Sequence, residues 1–375
     1  MKLPIPLTVL TGYLGSGKTT LLKTLLGNPQ MAGTAVIVNE FGEVGLDDAL
    51  IEAATEETVL LPSGCVCCSV RGDLVEALLK LHRSAMMGEI PPIERVVLET
   101  TGLADPAPIA HTLISERDVF RVFRLDGIVT TVDAQHGAAQ LDAAYEPAKQ
   151  IAIADRLVLT KTDLAGAADT EALKPRIAAL NPAAPLITAV KGAISPSELF
   201  GLNAYEIRGG STHVEQWIGA DHYAPRHAHD DHHDGADPAC DDPHDHDHAH
   251  GPGHYDHLHG VKSFCLTFDE PLDPRKLEFA IELLRSTYGS ELLRVKGIIN
   301  ISGQPQPFVI HGVQHVFYPV ETLERWPSAD HRSRLVFITK DLHEAKVRQV
   351  FAPLLNRNNE DHPRVGLAGS ETKLG

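Results

Sequence analysis

The sequence predicts an α/β fold, a parallel sheet with helices on both faces, followed by a small α+β domain. Short apolar runs at 7–11, 34–39, 95–99, 127–133, 156–160 and 185–188 alternate with helical stretches, as strands buried on both faces of a parallel sheet do. The first run leads into Gly12-Tyr13-Leu14-Gly15-Ser16-Gly17-Lys18-Thr19-Thr20, a G-x-x-x-x-G-K-T loop with the helical stretch 21–26 behind it. Strand, glycine loop and helix form the context that a phosphate-binding loop needs. From residue 260 the pattern changes to half-buried strands with one helix among them and one at the end.

In chain order, Thr34–Asn39 reads as a buried strand and Asn39–Asp47 as a Gly- and acid-rich turn that follows it. Cys65-Val66-Cys67-Cys68 comes next, ahead of a helix ending near Met87. Asp73 and Glu76 have the spacing of a capping box at its start, and Leu74, Ala77, Leu78, Leu81 and Ala85 share one face. Strands at 95–99, 127–133, 156–160 and 185–188 complete the first block. In the second block, 263–268 alternates like a strand, and Asp273-Pro274 supplies an N-cap and an N1 proline for a helix stopped by Gly289. Strands are expected at 292–301, 307–310, 316–320 and 335–339, a closing helix at 342–352, and helices on one face of that sheet. The division expected is 1–201 for the nucleotide domain, 202–259 for a linker and 260–375 for the second domain.

Composition excludes several partners. With 375 residues the chain can hold two or three domains, and 43% hydrophobic content suits a water-exposed globular protein. A formal charge of −17 disfavours nucleic acid and anionic membranes. Residues 221–259 supply −9 of it, with ten Asp against Arg226 alone. No apolar run reaches the roughly twenty residues of a membrane span, and the start of the chain lacks the pattern of a signal peptide. Five cysteines, three of them at 65, 67 and 68, make no disulfide framework. These features predict a cytoplasmic protein with reduced thiols.

The loop predicts binding of a nucleoside triphosphate. Gly12, Gly15, Ser16, Gly17 and Thr20 belong to a cradle whose backbone N–H groups and helix dipole favour phosphate. Lys18 is expected to reach the β- and γ-phosphates and Thr19 to hold Mg²⁺, with Glu99 acting through the Mg²⁺ shell and Gly102 beside the γ-phosphate. Thr160-Lys161-Thr162-Asp163 lies just past a strand, where GTPases keep N-K-x-D. The Asp163 carboxylate can accept from the N1–H and 2-amino groups of guanine, which adenine cannot offer, and the Lys161 stem can cover the base. GTP is therefore the expected nucleotide. Thr160 in place of Asn removes an amide donor.

Three thiolates in four residues suit Zn²⁺ or another borderline-soft ion. In extended backbone Cys65 and Cys67 project to one side, and the helix after Cys68 favours thiolate. A fourth ligand is needed, and Glu40, Glu43, His111 or water could supply it. The alternative is a set of small buried thiols.

The order of the G-K-T-T loop, Asn39-Glu40-Phe41-Gly42, Gly64-Cys65-Val66-Cys67-Cys68, Glu99-Thr100-Thr101-Gly102 and Thr160-Lys161-Thr162-Asp163 resembles the CobW-like P-loop GTPases, over nearly the whole chain. The resemblance implies a P-loop NTPase domain with a CobW-type C-terminal domain, GTP hydrolysis, and delivery of a metal to a client metalloprotein. Zinc is the commonest cargo in that family, with one branch tied to cobalt for cobalamin synthesis. It also implies that Cys65, Cys67 and Cys68 hold the delivered metal under the control of GTP. The cysteines lie in sequence between two expected γ-phosphate sensors, whose order commonly depends on the γ-phosphate and Mg²⁺.

Residues 222–259 hold twelve of the 21 histidines with few apolar residues, so disorder is expected there. Runs such as His244, His246, His248 and His250 can collect zinc, nickel or copper at weak sites, with Cys240 nearby; a metal-indifferent linker is the alternative. Cys265 reads as a small strand residue. A metal-storage protein working through this tract is the competing function, and a P-loop kinase is a third that Asp163 and the cysteines disfavour.

Overall fold

Alternation along the first strand decides how the sheet is packed. In a computed structural model that describes residues 4–39, 59–63, 71–202, 217–219 and 259–355, Leu7 and Val9 of β1 (Ile5–Gly12) join one apolar cluster and Leu10 joins another. Successive side chains of a strand point to opposite faces, so both faces of this sheet are buried.

The remaining elements of the first unit are α1 (Lys18–Leu26), β2 (Thr34–Asn39), β3 (Val59–Ser63), α2 (Arg71–Met87), β4 (Arg95–Glu99), α3 (Ala107–Ser115), α4 (Arg117–Val122), β5 (Phe123–Asp133), α5 (Gly137–Ala143), α6 (Tyr145–Ile153), β6 (Arg156–Thr160), α7 (Ala167–Leu180) and β7 (Leu186–Ala189). The strands form a seven-stranded parallel sheet in the order β3-β2-β4-β1-β5-β6-β7. Leu21, Leu22, Leu25 and Leu26 of α1 cover one face. Leu74, Leu78 and Leu81 of α2, Leu113 of α3, Ile151 of α6 and Leu173 of α7 cover the other. The central strand β1 carries the glycine loop at its carboxyl end, where phosphate sites of such sheets lie.

The second unit contains β8 (Val261–Phe268), α8 (Pro274–Tyr288), β9 (Leu292–Ile299), β10 (Phe308–Val313), β11 (Val316–Phe317), β12 (Glu321–Thr322), β13 (Ser333–Lys340) and α9 (Glu344–Leu355). Its antiparallel sheet runs β11-β10-β9-β13-β8, with β12 pairing β10. Asp273 caps α8 by accepting from the N–H groups of Arg275 at 2.9 Å and Lys276 at 3.1 Å, and Leu277, Ala280 and Leu284 face the sheet. The α/β class with an appended α+β unit is as the sequence predicts.

Local expectations are corrected in three places. Helix α2 begins at Arg71, so Asp73 sits inside the first turn and not at the cap. There its charge favours the positive end of the helix dipole. The strand expected over 316–320 stops at Phe317, and the one expected over 292–301 stops at Ile299, with Ile301 only bridging Leu272. Both helices of the second unit do lie on one face of its sheet, in a cluster holding Leu284 and Phe351. The opposite face, however, is covered by the first unit. Val261, Leu293, Val313 and Ile338 are buried in the same cluster as α6 and α7. Strand β9 is therefore buried along its whole length.

That contact encloses charge. Asp155, at the foot of β6, accepts from the Ile128 N–H at 3.0 Å, from the Arg294 guanidinium, and pairs with Lys296 at 3.0 Å. All three side chains are at most 5% exposed. Burial alone raises the Asp155 carboxyl, but the charges of Arg294 and Lys296 outweigh it and hold it below the usual carboxylate range. Burial pushes Lys296 down to about 8. His311 stacks on Tyr318 with ring centres 3.8 Å apart. Burial and the neighbouring Arg294 charge push His311 down to about 3.

The His311 shift fixes a sign. Between its unfolded value of about 6.5 and about 3, the unfolded chain binds a proton that the folded chain refuses. Stability therefore falls as pH drops through that window, by up to ~1.4 kcal/mol per pH unit for this one group. Urea midpoints at pH 7, 6 and 5 should fall less steeply for His311→Phe than for the wild type. Equal slopes would mean that His311 is protonated in the fold.

Candidate nucleotide site

The loop after β1 can close only because of its glycines. Gly12 has φ 146, and a Cβ there would sit 2.6 Å from the Ser16 hydroxyl. Gly17, the N-cap of α1, has φ 91. The Ser16 N–H donates to the Tyr13 carbonyl at 3.0 Å, and the Ser16 hydroxyl meets the Thr131 hydroxyl of β5 at 2.7 Å. Ser16 thus offers the site its backbone, since its side chain is tied to the sheet. Gly15, with φ 71, has open space around its Cα, and Thr20 is exposed on the first turn of α1.

Lys18 folds back over its own loop. Its ammonium donates to the carbonyls of Gly12 at 2.9 Å and Tyr13 at 3.3 Å, and the residue is 8% exposed. The Thr19 hydroxyl donates to Glu99 Oε1 at 2.8 Å, which brings the expected Mg²⁺-binding hydroxyl and the buried carboxylate at the end of β4 into one group. The chain beyond β4 is fastened to β1. The Thr100 N–H donates to the Leu10 carbonyl at 2.9 Å, and its hydroxyl donates to that of Thr11 at 2.8 Å. Gln150 of α6 holds the next turn, donating to the carbonyls of Gly102 at 3.3 Å and Ala104 at 3.1 Å.

Gly102 touches the phosphate loop directly. A Cβ at this position would lie 2.7 Å from both the backbone N and the Cα of Leu14. Backbone cannot swing aside as a flexible side chain can, so Gly102→Ala must displace one of the two segments. Overpacking of this kind costs about 1–3 kcal/mol, so GTP affinity should fall by about tenfold or more. Calorimetric titration with a non-hydrolysable GTP analogue measures this. Unchanged affinity would show that the two segments move independently.

On the other side of the loop, Thr160 at the end of β6 donates its hydroxyl to the Ser16 carbonyl at 2.7 Å and approaches the Val132 carbonyl at 3.1 Å. The donor expected to be lost with Asn is replaced by this hydroxyl. Lys161 has φ 57, and its ammonium donates to Asp133 Oδ2 at 2.8 Å, which anchors the stem. Asp133 also accepts from the Gln135 N–H at 2.8 Å, and the His136 ring lies 3.1 Å from Oδ2. Burial raises the Asp133 carboxyl, but these hydrogen bonds outweigh it and keep the group below its ordinary value. The turn that follows is closed by the N–H groups of Leu164 and Ala165 donating to the Lys161 carbonyl at 3.0 and 3.1 Å, and it leaves Asp163 exposed.

Carboxyl ends of β1, β4, β5 and β6 thus converge on one crevice. It has a glycine cradle and a helix N-terminus for phosphate, a lysine, a hydroxyl–carboxylate pair suited to Mg²⁺, and an exposed carboxylate beyond an anchored lysine stem. The donor set fits a Mg²⁺-bound nucleoside triphosphate. Asp133 and Thr131 are site residues that sequence reasoning did not pick out. The available signal was an acid closing the 127–133 strand one strand away from Thr160–Asp163.

Cys65, Cys67, Cys68, Glu40 and Glu43 lie outside the described residues. His111 is described: it sits on α3, with Nδ1 3.4 Å from the Ser115 hydroxyl. Among the described residues there is no group of three or more His, Cys, Asp or Glu side chains that could hold a metal. Cys265 is half-buried on β8, and burial pushes its thiol up, as suits a structural residue. No helix among the described residues is long and apolar enough to cross a membrane.

Residues 6–188 match the model of the CobW/HypB/UreG nucleotide-binding domain, and residues 261–355 match the cobalamin synthesis protein cobW C-terminal domain. The zinc chaperone YjiA of Escherichia coli is 34% identical over 351 residues, spanning 94% of this chain and 99% of the relative. The zinc chaperone CobW of a Sinorhizobium species is 29% identical over 388 residues, covering 94% and 97% of the two chains. A crystal structure of the Zn(II)-bound YjiA GTPase from E. coli superposes with a TM-score of 0.67 at 30% identity, covering 94% of this chain and 99% of that one.

Proposed function

This chain belongs to the CobW/HypB/UreG family, with the CobW C-terminal domain behind its nucleotide-binding domain, and from that membership we propose that it is a GTP-hydrolysing metallochaperone whose cargo is Zn²⁺. The observation that carries the reading is the convergence of Lys18, Thr19, Glu99, Gly102 and the Thr160–Asp163 turn on one crevice.

GTP enters with its phosphates over the 12–20 loop. Lys18 exchanges the carbonyls of Gly12 and Tyr13 for the β- and γ-phosphates, where its charge offsets what develops in the transition state. Thr19 and Glu99, which already meet at 2.8 Å, would hold Mg²⁺, and the bound ion would supply positive charge to the phosphates. Asp163 reads guanine and the anchored Lys161 stem covers the base. Thr160 joins the base-reading turn to the phosphate loop by its bond to the Ser16 carbonyl.

The cargo ligands in this reading are Cys65, Cys67 and Cys68, with Glu40 or His111 as the candidate fourth. GTP favours one arrangement of these ligands and GDP another, so hydrolysis releases zinc to a client metalloprotein. Support comes from the names of the relatives, zinc chaperones and a zinc-regulated GTPase metalloprotein activator of Schizosaccharomyces pombe, and from the fastening of the 99–102 segment to the phosphate loop.

One experiment tests the switch. Zn²⁺ affinity is measured by chelator competition in the GDP-bound form and with a non-hydrolysable GTP analogue. Wild-type protein should differ between the two states by tenfold or more, about 1.4 kcal/mol of coupling, and a Cys67→Ser/Cys68→Ser protein should lose both the tight site and the difference. Equal affinities in the two states would end the proposal.

A further inference from the structure

The histidine singled out as a candidate cargo ligand has a partner on the other structural unit. His111, on α3, and His315, in the connection between β10 and β11, have ring centres 5.4 Å apart with their planes tilted at 46°. They are neither stacked nor edge-to-face. Two imidazoles on one tetrahedral zinc, with Zn–N of about 2.0–2.1 Å and ring centres about 1.1 Å further out, have their centres about 5.2 Å apart. The observed separation is that of two rings able to share one ion.

Both rings are presented by fixed backbone. His111 stands in the middle of a helix whose Ile109, Ala110 and Leu113 are buried, and the Ser115 hydroxyl donates to the His111 carbonyl at 2.8 Å. His315 sits in a two-residue connection, because Val313 pairs with Val316 and Gln314 takes φ 53. The connection packs on the end of α8, where a Cβ on Gly289 would lie 2.8 Å from the His315 Cβ. Val313, two residues from His315, is fully buried in the cluster that also contains Leu113, two residues from His111. The packing that joins the two units therefore also sets the distance between the rings. A preorganised pair of this kind needs little ordering when an ion arrives.

We propose that His111 and His315 form a second zinc site that clamps the β10–β11 hairpin to α3, separate from the cysteine site, which leaves Glu40 as the candidate fourth ligand there. Two neutral imidazoles supply two ligands and water completes the coordination. Imidazole also suits copper and nickel, but the 5.4 Å separation of the rings matches the tetrahedral angle usual for zinc. The clamp joins the second unit to the helix that follows Glu99–Gly102, the segment packed against Leu14 of the phosphate loop. Zinc at this pair gives the C-terminal unit a hold on the nucleotide site. The proposal stands on the ring geometry and does not depend on the cysteines binding cargo.

The test uses the full-length protein labelled with ¹⁵N. Ring resonances of His111 and His315, assigned with His111→Gln and His315→Gln proteins, are followed as Zn²⁺ alone is added. Both rings should respond to the same equivalent of zinc, and His315→Gln should abolish the response of His111 while its metal-free GTPase rate stays that of the wild type. His343, whose ring faces the Lys262 ammonium at 2.9 Å, serves as an internal control. The response should persist in a Cys65→Ser/Cys67→Ser/Cys68→Ser protein. Its loss there would assign His111 to the cysteine site and overturn the proposal. A ring that moves alone, two rings that do not move, or a His111 response that survives His315→Gln would also overturn it.

Discussion

Replacing Lys18 with alanine lowers the turnover of GTP by about 10²–10³-fold, the usual cost of removing one preorganised charge or donor from a transition state. The ammonium is aimed at the loop, where it donates to the carbonyls of Gly12 and Tyr13. Its transfer to the phosphates replaces neutral carbonyl acceptors with anionic oxygens, which adds the attraction of opposite charges to each hydrogen bond. The loss should appear mainly in the single-turnover rate at saturating GTP, because the glycine N–H groups and Asp163 still bind the ground state. Lys18→Arg should not restore activity, since a planar guanidinium does not fit a cradle shaped for a point charge. A Lys18→Ala protein that hydrolyses GTP within threefold of the wild type would remove Lys18 from the mechanism.

Replacing Asp155 with asparagine destabilises the protein by about 3–5 kcal/mol, because breaking a buried ion pair leaves the opposite charge without compensation. Here two cations would be left, Arg294 and Lys296. Adding Lys296→Met to Asp155→Asn should restore part of the loss, since one stranded charge is removed. The pH dependence separates this from simple loss of packing. Burial pushes Lys296 down to about 8 while the Asp155 charge holds it up, so in Asp155→Asn it sheds its proton at a still lower pH and the deficit shrinks as pH rises towards 8. Urea unfolding of wild type, single and double variants at pH 7 and 9 measures all three effects. A loss below about 1 kcal/mol at pH 7 would mean that water reaches the cluster.

Much of the first unit was legible because its information is local. Strands buried on both faces are continuous apolar runs, and the G-x-x-x-x-G-K-T loop contains its own geometry. Residues that matter through contacts across the sheet were harder to read. Asp133 anchors Lys161 only because β5 and β6 are neighbours, and Thr160 meets Ser16 only because that strand passes the loop. Comparing Thr160 with the usual asparagine suggested a missing donor; the hydroxyl reaches the Ser16 carbonyl instead. In β9, Arg294 and Lys296 alternate with valine and leucine as they would on a wet face. No local feature announces that Asp155, some 140 residues earlier in the chain, lies against them.

The shared core between the two units has a practical consequence for anyone who wishes to study them apart. The His/Asp tract invites a cut, since it looks like a tether between independent modules. A fragment ending before it would open Ile151, Ala152 and Ile153 to water and strand Asp155 without its cations. The complementary fragment would carry Arg294 and Lys296 on a bare sheet. Neither piece is a fair proxy for its half of the protein, and nucleotide measurements on an amputated domain would describe a different molecule.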